Sequence, residues 1–268
     1  MNRIITLTTD FGLTDEYIGA VKGVILSINP DVKIVDITHQ IPKYNIRKGA
    51  LVLRSVIPYY PPSSIHIGIV DPGVGSERNI IIVKTRSEKY LVGPDNGLLY
   101  PTALREGVLK IVKFTNLKYS LRRVSDTFHG RDIMAPIAAY LTKNVSLEDF
   151  GCEIKGIIPL ELEYYKLLER GVEGKVIDVD DFGNIITSLP VSILFESLNK
   201  RVEYFTLLIR GAKFNVKVGR IFADTSEGGL IALPGSKGFI EIAVNKGSAA
   251  KNLGANIGDI IQLIYNSG

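Results

Sequence analysis

In the first 150 residues, short β-branched runs alternate with longer stretches whose apolar positions recur at helical spacing: "IITLTT", "DEYIGAVKGVILSI", "KIVDIT", "IRKGALVLRSVIPYY", "SIHIGIV", "NIIIVKT", "YLVGPD" and "VLKIVKF". That alternation predicts βαβ units, and so a mostly parallel sheet covered by helices. Ile65 to Val70 and Ile80 to Val83 are apolar almost without a break, as strands buried on both faces must be. A last helix is expected in "DIMAPIAAYLTKN", with Asp132 near its start, where the helix dipole favours an acid, and Pro136 within its first turn or so.

After that helix the texture changes. Short strand-like runs separated by Gly, Asn, Asp and Pro follow: "KVIDVDDFGNIITSLP", "VEYFTLLIRGAKFNVKVG", "GLIALPGSKGFIEIAVNKGSAA" and "GDIIQLIY". These read as antiparallel β structure. The expected division is an N-terminal α/β domain over 1–155, a linker over 156–173, and a smaller all-β, barrel-like domain over 174–268.

Composition narrows the function classes. Net charge is +4, but Lys and Arg are scattered among Asp and Glu with no basic run, which argues against a nucleic-acid groove. Cys152 is the only cysteine, so neither an intrachain disulfide nor a cysteine-rich zinc site holds the fold. The strand-like "RIITLTT" beside the first residue leads us to expect no leader, and no apolar stretch is long enough to span a bilayer. The expectation is a cytoplasmic chain that acts on a small molecule, with no nucleic-acid or membrane partner.

In an α/β domain the loops leaving the C-terminal strand ends carry ligand chemistry, and four of them here are unusually polar. They are Thr8-Thr9-Asp10, "DPGVGSERN" from Asp71, "PDNGLL" from Pro94, and "FHGRD" before the last helix of this half. In isolation Asp71-Pro72-Gly73 is a turn and Arg78 a solvated arginine; His129 and Arg131 at another strand exit favour a site instead. His39 and His66 fit structural roles better. Three dispersed histidines provide no H-E-x-x-H pattern. A magnesium site built from Asp10, Asp15, Asp36 and Asp71 stays open, although no motif demands it.

Two Asp-Phe-Gly tripeptides, Asp10-Phe11-Gly12 and Asp181-Phe182-Gly183, suggest a kinase, as does "FHGRDI". The companions that phosphoryl transfer needs are absent: no G-x-G-x-x-G precedes a V-A-I-K-like strand, and "HGRD" has an extra glycine and lacks the downstream Asn. The kinase reading fails.

Taken together, "TTDFG", "IVDPGVGSERN", "GPDNGLL", "FHGRDI", "DDFGNIIT" and "GSKGFIEIAVNKGSA" resemble the S-adenosylmethionine hydroxide adenosyltransferases, a family related to the bacterial fluorinase and chlorinase. The resemblance spans nearly the whole chain. It implies an N-terminal α/β domain, a C-terminal barrel-like domain, and a homotrimer whose sites lie between one subunit's N-terminal domain and its neighbour's C-terminal domain. The implied reaction is attack of water or hydroxide on C5′ of S-adenosyl-L-methionine, giving adenosine and L-methionine with no cofactor or metal.

By the same resemblance, Asp71, Arg78 and His129 form the catalytic set, with Asp71 also touching substrate. Asp10 takes the ribose hydroxyls, Asn184 the adenine and Asp180 the methionine ammonium. Ser236, with Lys237, lies near the amino-acid end, and Glu241 and the backbone at Val244 are further adenosine contacts. The chemistry suits these residue types. A sulfonium already supplies a neutral leaving group, so the deficit is the nucleophile, bulk water having a pKa of about 15.7. Asp71 can orient that water while Arg78 and His129 add positive potential.

Departures from the pattern separate the branches. Halogenating members carry a tyrosine where this chain has Asp71, a serine at Gly130 and a threonine at Val74, and a carboxylate beside the nucleophile repels halide. Hydrolysis is therefore expected over 5′-halogenation. The rivals are a non-catalytic adenosine or S-adenosylmethionine binding module and a metal-dependent phosphoesterase.

Overall fold

The computed structural model describes residues 3–199 and 202–265, and the chain divides into two compact units, 1–160 and 161–268. The first unit contains strands β1 (Ile4–Thr9), β2 (Lys33–Thr38), β3 (Ile65–Ile69), β4 (Ile80–Thr85), β5 (Tyr90–Pro94), β6 (Val108–Phe114) and β7 (Gly151–Glu153). Its helices are α1 (Tyr17–Ile28), α2 (Ile46–Val56), α3 (Tyr100–Glu106) and α4 (Ala135–Thr142).

Alternation along the central strands feeds two cores. Ile80 and Ile82 of β4 join Ile5, Leu7, Ile65 and Ile67 in a core that takes in Val21 and Ile25 of α1 and Ile137 and Leu141 of α4. Ile81 and Val83 point the other way, into a core with Leu53 of α2 and Ala103 of α3. Successive strand side chains alternate faces, so a strand apolar at every position must be covered twice. The sheet order is β2-β1-β3-β5-β4-β6-β7. Five of the seven strands run the same way; only β4 and β7 oppose them.

The order places a topological switch point at the heart of the unit. From β1 the chain passes through α1, on one face, to β2 on one side, then returns through α2, on the other face, to β3 on the opposite side of β1. Connections leaving β1 and β3 therefore diverge and open a crevice beyond their C-terminal ends. Thr9 pairs with Ile69 at those ends, so the next residues, leading to Asp10 and Asp71, emerge side by side.

The second unit contains β8 (Lys166–Leu168), β9 (Gly171–Val179), β10 (Ile185–Pro190), α5 (Val191–Asn199), β11 (Tyr204–Ile209), β12 (Ala212–Val218), β13 (Leu230–Pro234), β14 (Phe239–Val244), α6 (Ala249–Leu253) and β15 (Ile260–Tyr265). The order β10-β14-β13-β12-β11-β15-β9 closes on itself through a β9–β10 pairing, giving a seven-stranded barrel with β8 added to β9. Closure removes the free edges that an open sheet would expose. The segment 156–173 thus supplies β8 and the start of β9 to this unit. Phe205, Leu207, Val216, Ile240 and Leu263 fill the barrel, and Ile193 and Leu194 of α5 join that core.

Ile67 is fully buried at the centre of the parallel strands. Ile67→Ala is expected to cost about 2–5 kcal/mol, the range for deleting a buried aliphatic side chain, read as a lowered midpoint in denaturant unfolding at unchanged slope.

Candidate active site

The β3 exit forms a tight loop. Val74 N–H donates to the Asp71 carbonyl and Ser76 N–H to that of Gly73, which returns Arg78 towards Asp71. Arg78 Nε lies 2.9 and 3.0 Å from the two Asp71 carboxylate oxygens, and its Nη2 donates to Asp71 Oδ2 as well. Both side chains are nearly buried, at 10% and 6% exposure, so this is not the solvated arginine of a simple turn. Gly75 is required here: its φ is +79°, and a Cβ would lie 2.4 Å from the Asp126 carbonyl oxygen, where the loop meets the segment carrying His129.

His129 opens a π-helical turn, Gly130–Met134, that leads into α4. Such turns commonly mark functional positions. Buried Asp132 pins the approach: its carboxylate accepts from Ser125 N–H at 2.7 Å and from Arg131, whose guanidinium also lies over the Phe128 ring. Arg131 is thereby committed to structure, and Asp132 fastens the loop that leads to His129.

Arg78 Nη2 also meets His129 Nδ1 at 2.9 Å. A guanidinium can only donate, so Nδ1 is the acceptor and the ring is the neutral Nε2–H tautomer. Burial first, and then the Arg78 charge, hold the imidazole pKa below its usual 6.5. The expectation that His129 adds positive potential is therefore corrected: Arg78 is the only cation of the set, and Asp71 offsets it.

Asp10, Asp71 and His129 line one cleft of about 320 Å³, together with Phe11, Tyr17, Lys43, Tyr44, Val74, Phe128 and Gly130. Arg78 lies behind Asp71 and His129 rather than in the lining. Asp10 is buried, and its Oδ2 accepts the Tyr44 N–H at 2.8 Å; Tyr44 itself has φ +65°. Oδ1 keeps its acceptor capacity. Among the described residues no three His, Cys, Asp or Glu side chains converge as metal ligands. Of the four acids considered for magnesium, Asp15 is exposed and Asp36 is paired with Lys22.

In the second unit, Asn184 and Val244 line a cleft of about 470 Å³ with Phe182, Phe222, Lys246, Gly247 and Ser248. Asp180 braces its rim: Oδ1 accepts from Phe182 N–H and Asn184 N–H, and Oδ2 from the Asn184 side-chain amide at 3.0 Å. Asn184 keeps one amide N–H and its carbonyl for a ligand. Gly183, at φ +84°, makes the turn possible, since a Cβ there would sit 2.0 Å from Ser248 Oγ. Glu241 is half-buried on β14; burial and then repulsion from Asp180 raise its pKa, opposed by Lys237, which pairs with buried Asp178 at 3.1 Å. Ser236 lies exposed in the β13–β14 turn, outside the cleft lining.

Several lining residues were not among those singled out from sequence. Phe182 is 81% exposed and presents its ring at the cleft of the second unit. Its tripeptide drew attention to the aspartate instead. Phe222, Tyr44, Tyr17 and Lys43 come from segments without motif character, and only folding brings them to the clefts.

Two family models match the chain: the SAM hydroxide adenosyltransferase N-terminal domain over residues 5–151 and the corresponding C-terminal domain over residues 174–262. Matched in order over most of the chain, these two models show that the chain belongs to the SAM hydroxide adenosyltransferase family. A Methanocaldococcus jannaschii protein named (R)-S-adenosyl-L-methionine hydrolase is 38% identical, the match covering 98% of this chain and 96% of that one. A Nocardia brasiliensis fluorinase is 25% identical, the match covering 97% of this chain. The crystal structure of an uncharacterized conserved protein from Thermotoga maritima superposes with a TM-score of 0.91 at 37% identity, covering 97% of this chain and 99% of that one.

The depressed His129 pKa has a testable sign. The unfolded ring binds a proton more readily than the folded one, so its stability contribution is complete above about pH 6.5 and lost as pH falls towards the folded value. An NMR titration is expected to show His129 protonating below 6.5, and Arg78→Met is expected to move it upward.

Proposed function

We propose that this chain hydrolyses S-adenosyl-L-methionine to adenosine and L-methionine, with water attacking C5′. The observation that carries the reading is the Asp71–Arg78–His129 arrangement at the edge of the Asp10 cleft. The sulfonium needs no acid catalyst, cofactor or metal to leave, so the task of the site is to hold one water in line with the C5′–S bond. Orientation of this kind contributes up to roughly 7–11 kcal/mol in favourable cases. Asp71, fixed by Arg78, accepts a hydrogen bond from the water, and His129 supplies its Nε2–H as a donor. As the C–O bond forms and the C5′–S pair returns to sulfur, one water proton leaves along its hydrogen bond to Asp71 and passes to solvent.

Asp10 accepts from the ribose hydroxyls, Asn184 reads the adenine edge, and Phe182 with Phe222 stacks on the base. Glu241 and the backbone at Val244 add further adenosine contacts; Asp180, with Lys237, meets the methionine ammonium and carboxylate, and Ser236 joins them at the amino-acid end. On the family resemblance, we assign each complete site to two copies of the chain within a homotrimer, and the working location to the cytoplasm. No helix among the described residues is long and apolar enough to cross a membrane.

A halogenating reading is disfavoured by two contacts. Asp71 cancels the charge that would attract an anion, and a side chain at Gly130 would start 2.9 Å from Ile69 Cδ1. Binding without turnover draws on one observation: Arg78 already occupies both Asp71 oxygens, which weakens that carboxylate as a base.

Purified protein incubated with (R)-S-adenosyl-L-methionine in the presence of EDTA is expected to release adenosine and methionine in equal amounts. A 5′-halo product in chloride, strict metal dependence, or tight binding without product would each contradict the reading. Arg78→Ala is expected to lower kcat by about 10²–10³-fold, the scale for losing one preorganised electrostatic contact, and Asp10→Ala mainly to raise KM. Loss of the Phe182 stack is worth roughly 1–3 kcal/mol in KM.

For the shared site, poorly active Asp71→Ala and weakly binding Asn184→Ala chains are expected to regain activity at low substrate when co-assembled, because some sites then receive both intact halves. No recovery in verified mixed oligomers would contradict it.

A further inference from the structure

His39 is almost completely buried and lies outside the cleft lining, yet its contacts converge on the turn that carries Asp10. Its Nδ1 lies 3.0 Å from Thr9 Oγ1, and Thr9 Oγ1 accepts the Phe11 N–H at 3.2 Å. The His39 carbonyl accepts the Gly12 N–H at 2.7 Å. On the other side of the ring, Nε2 lies 3.1 Å from Asp36 Oδ1, at an angle too oblique for a full hydrogen bond, and Lys22 of α1 pairs with Asp36 Oδ2 at 2.6 Å.

The proton order follows from donor and acceptor capacity. A carboxylate only accepts, so Nε2 carries the ring hydrogen facing Asp36; Nδ1 then accepts from the Thr9 hydroxyl, leaving a Thr9 lone pair for Phe11 N–H. A hydrogen-bonded chain thus runs from His39 through Thr9 to the backbone of Phe11, with the Lys22-paired Asp36 carboxylate facing the other ring nitrogen. A few residues beyond His39, the same loop supplies the Tyr44 N–H that holds the Asp10 carboxylate. The two segments that fix Asp10 are therefore joined through one imidazole.

We propose that His39, oriented by Asp36 and acting through Thr9, is a positioning residue for the Asp10–Phe11–Gly12 turn, and so for binding of the nucleoside ribose. The last clause rests on the hydrolase reading; the positioning of the turn does not. His39 touches no reacting atom. Its loss loosens the ribose grip without removing the Asp71–Arg78–His129 set, so binding suffers and the chemical step is spared.

The test has two arms. Amide hydrogen exchange is measured for His39→Ala, Thr9→Val and His39→Asn, the last of which keeps an oxygen able to accept from the Thr9 hydroxyl. The first two are expected to speed exchange at Phe11 by about tenfold, the scale of one lost buried hydrogen bond, while Leu7 is unchanged and Gly12, held by a backbone carbonyl, changes less. His39→Asn is expected to recover most of the protection.

In kinetics with S-adenosyl-L-methionine, His39→Ala is expected to raise KM about fivefold to tenfold with kcat within twofold of wild type, and His39→Asn to restore KM. Unchanged Phe11 exchange, acceleration spread evenly along the first strand, or His39→Asn no better than His39→Ala would overturn the proposal. Wild-type protein that turns over no substrate would defeat the hydrolase reading alone, with the exchange arm still deciding the positioning role.

Discussion

The guanidinium of Arg78 is the contact on which the active-site geometry depends. Removing a carboxylate and a guanidinium from water costs several kcal/mol per ion, and the pair is tolerable only where geometry is close to ideal and further hydrogen bonds complete it. Here the fork of Arg78 spans both Asp71 oxygens, and its remaining reach falls on His129 Nδ1. Three consequences follow from that one group: the carboxylate plane is fixed, the imidazole is neutral with its N–H on Nε2, and the cluster carries no net charge. A neutral, donor-and-acceptor-lined pocket suits water better than an anion.

The fold brings these groups together by simple means. Crossing from α1 to α2 splits the connections around β1 and β3, so Asp10 and Asp71 leave adjacent strands at one crevice. The β3 loop folds back within seven residues to return Arg78, and the π-turn at Gly130–Met134 delivers His129 from the start of a helix. Behind the crevice, buried polar chains hold backbone turns in place. His39 serves the Asp10 turn in this way and Asp132 the His129 approach. The catalytic side chains rest on braces that are themselves fully or nearly fully buried.

Much of this was legible in the sequence. Alternating textures specified the α/β half and the β half because burial on two faces and burial on one leave different periodicities. The helix α5 escaped notice because "VSILFESLN" is short and sits between strands, where its apolar pair, Ile193 and Leu194, imitates strand content. Asp71, Arg78 and Asp10 stood out as polar residues at strand exits; His129 was read as another, but it lies well beyond the end of β6 and opens the π-turn, and the structure still gathers all four. His129's charge was misjudged because it depends on which atom of Arg78 it meets, a geometric fact with no sequence trace. Ser236 was placed near the ligand by motif alone, whereas exposed Phe182, from the same kind of motif, lines the cleft. The role of His39 was hidden for the same reason: a lone histidine in "DITHQIP" carries no signal until Thr9 and Asp36 are seen beside it.

The central claim is that Asp71, held by Arg78, positions a water and does not itself attack carbon. A single turnover in ¹⁸O-labelled water, with enzyme in excess over S-adenosyl-L-methionine, separates the two. The account requires label in the 5′-hydroxyl of adenosine in that first turnover. Unlabelled adenosine, with the isotope instead entering the Asp71 carboxylate, would mean that the enzyme's own oxygen had bonded to C5′, and would contradict it.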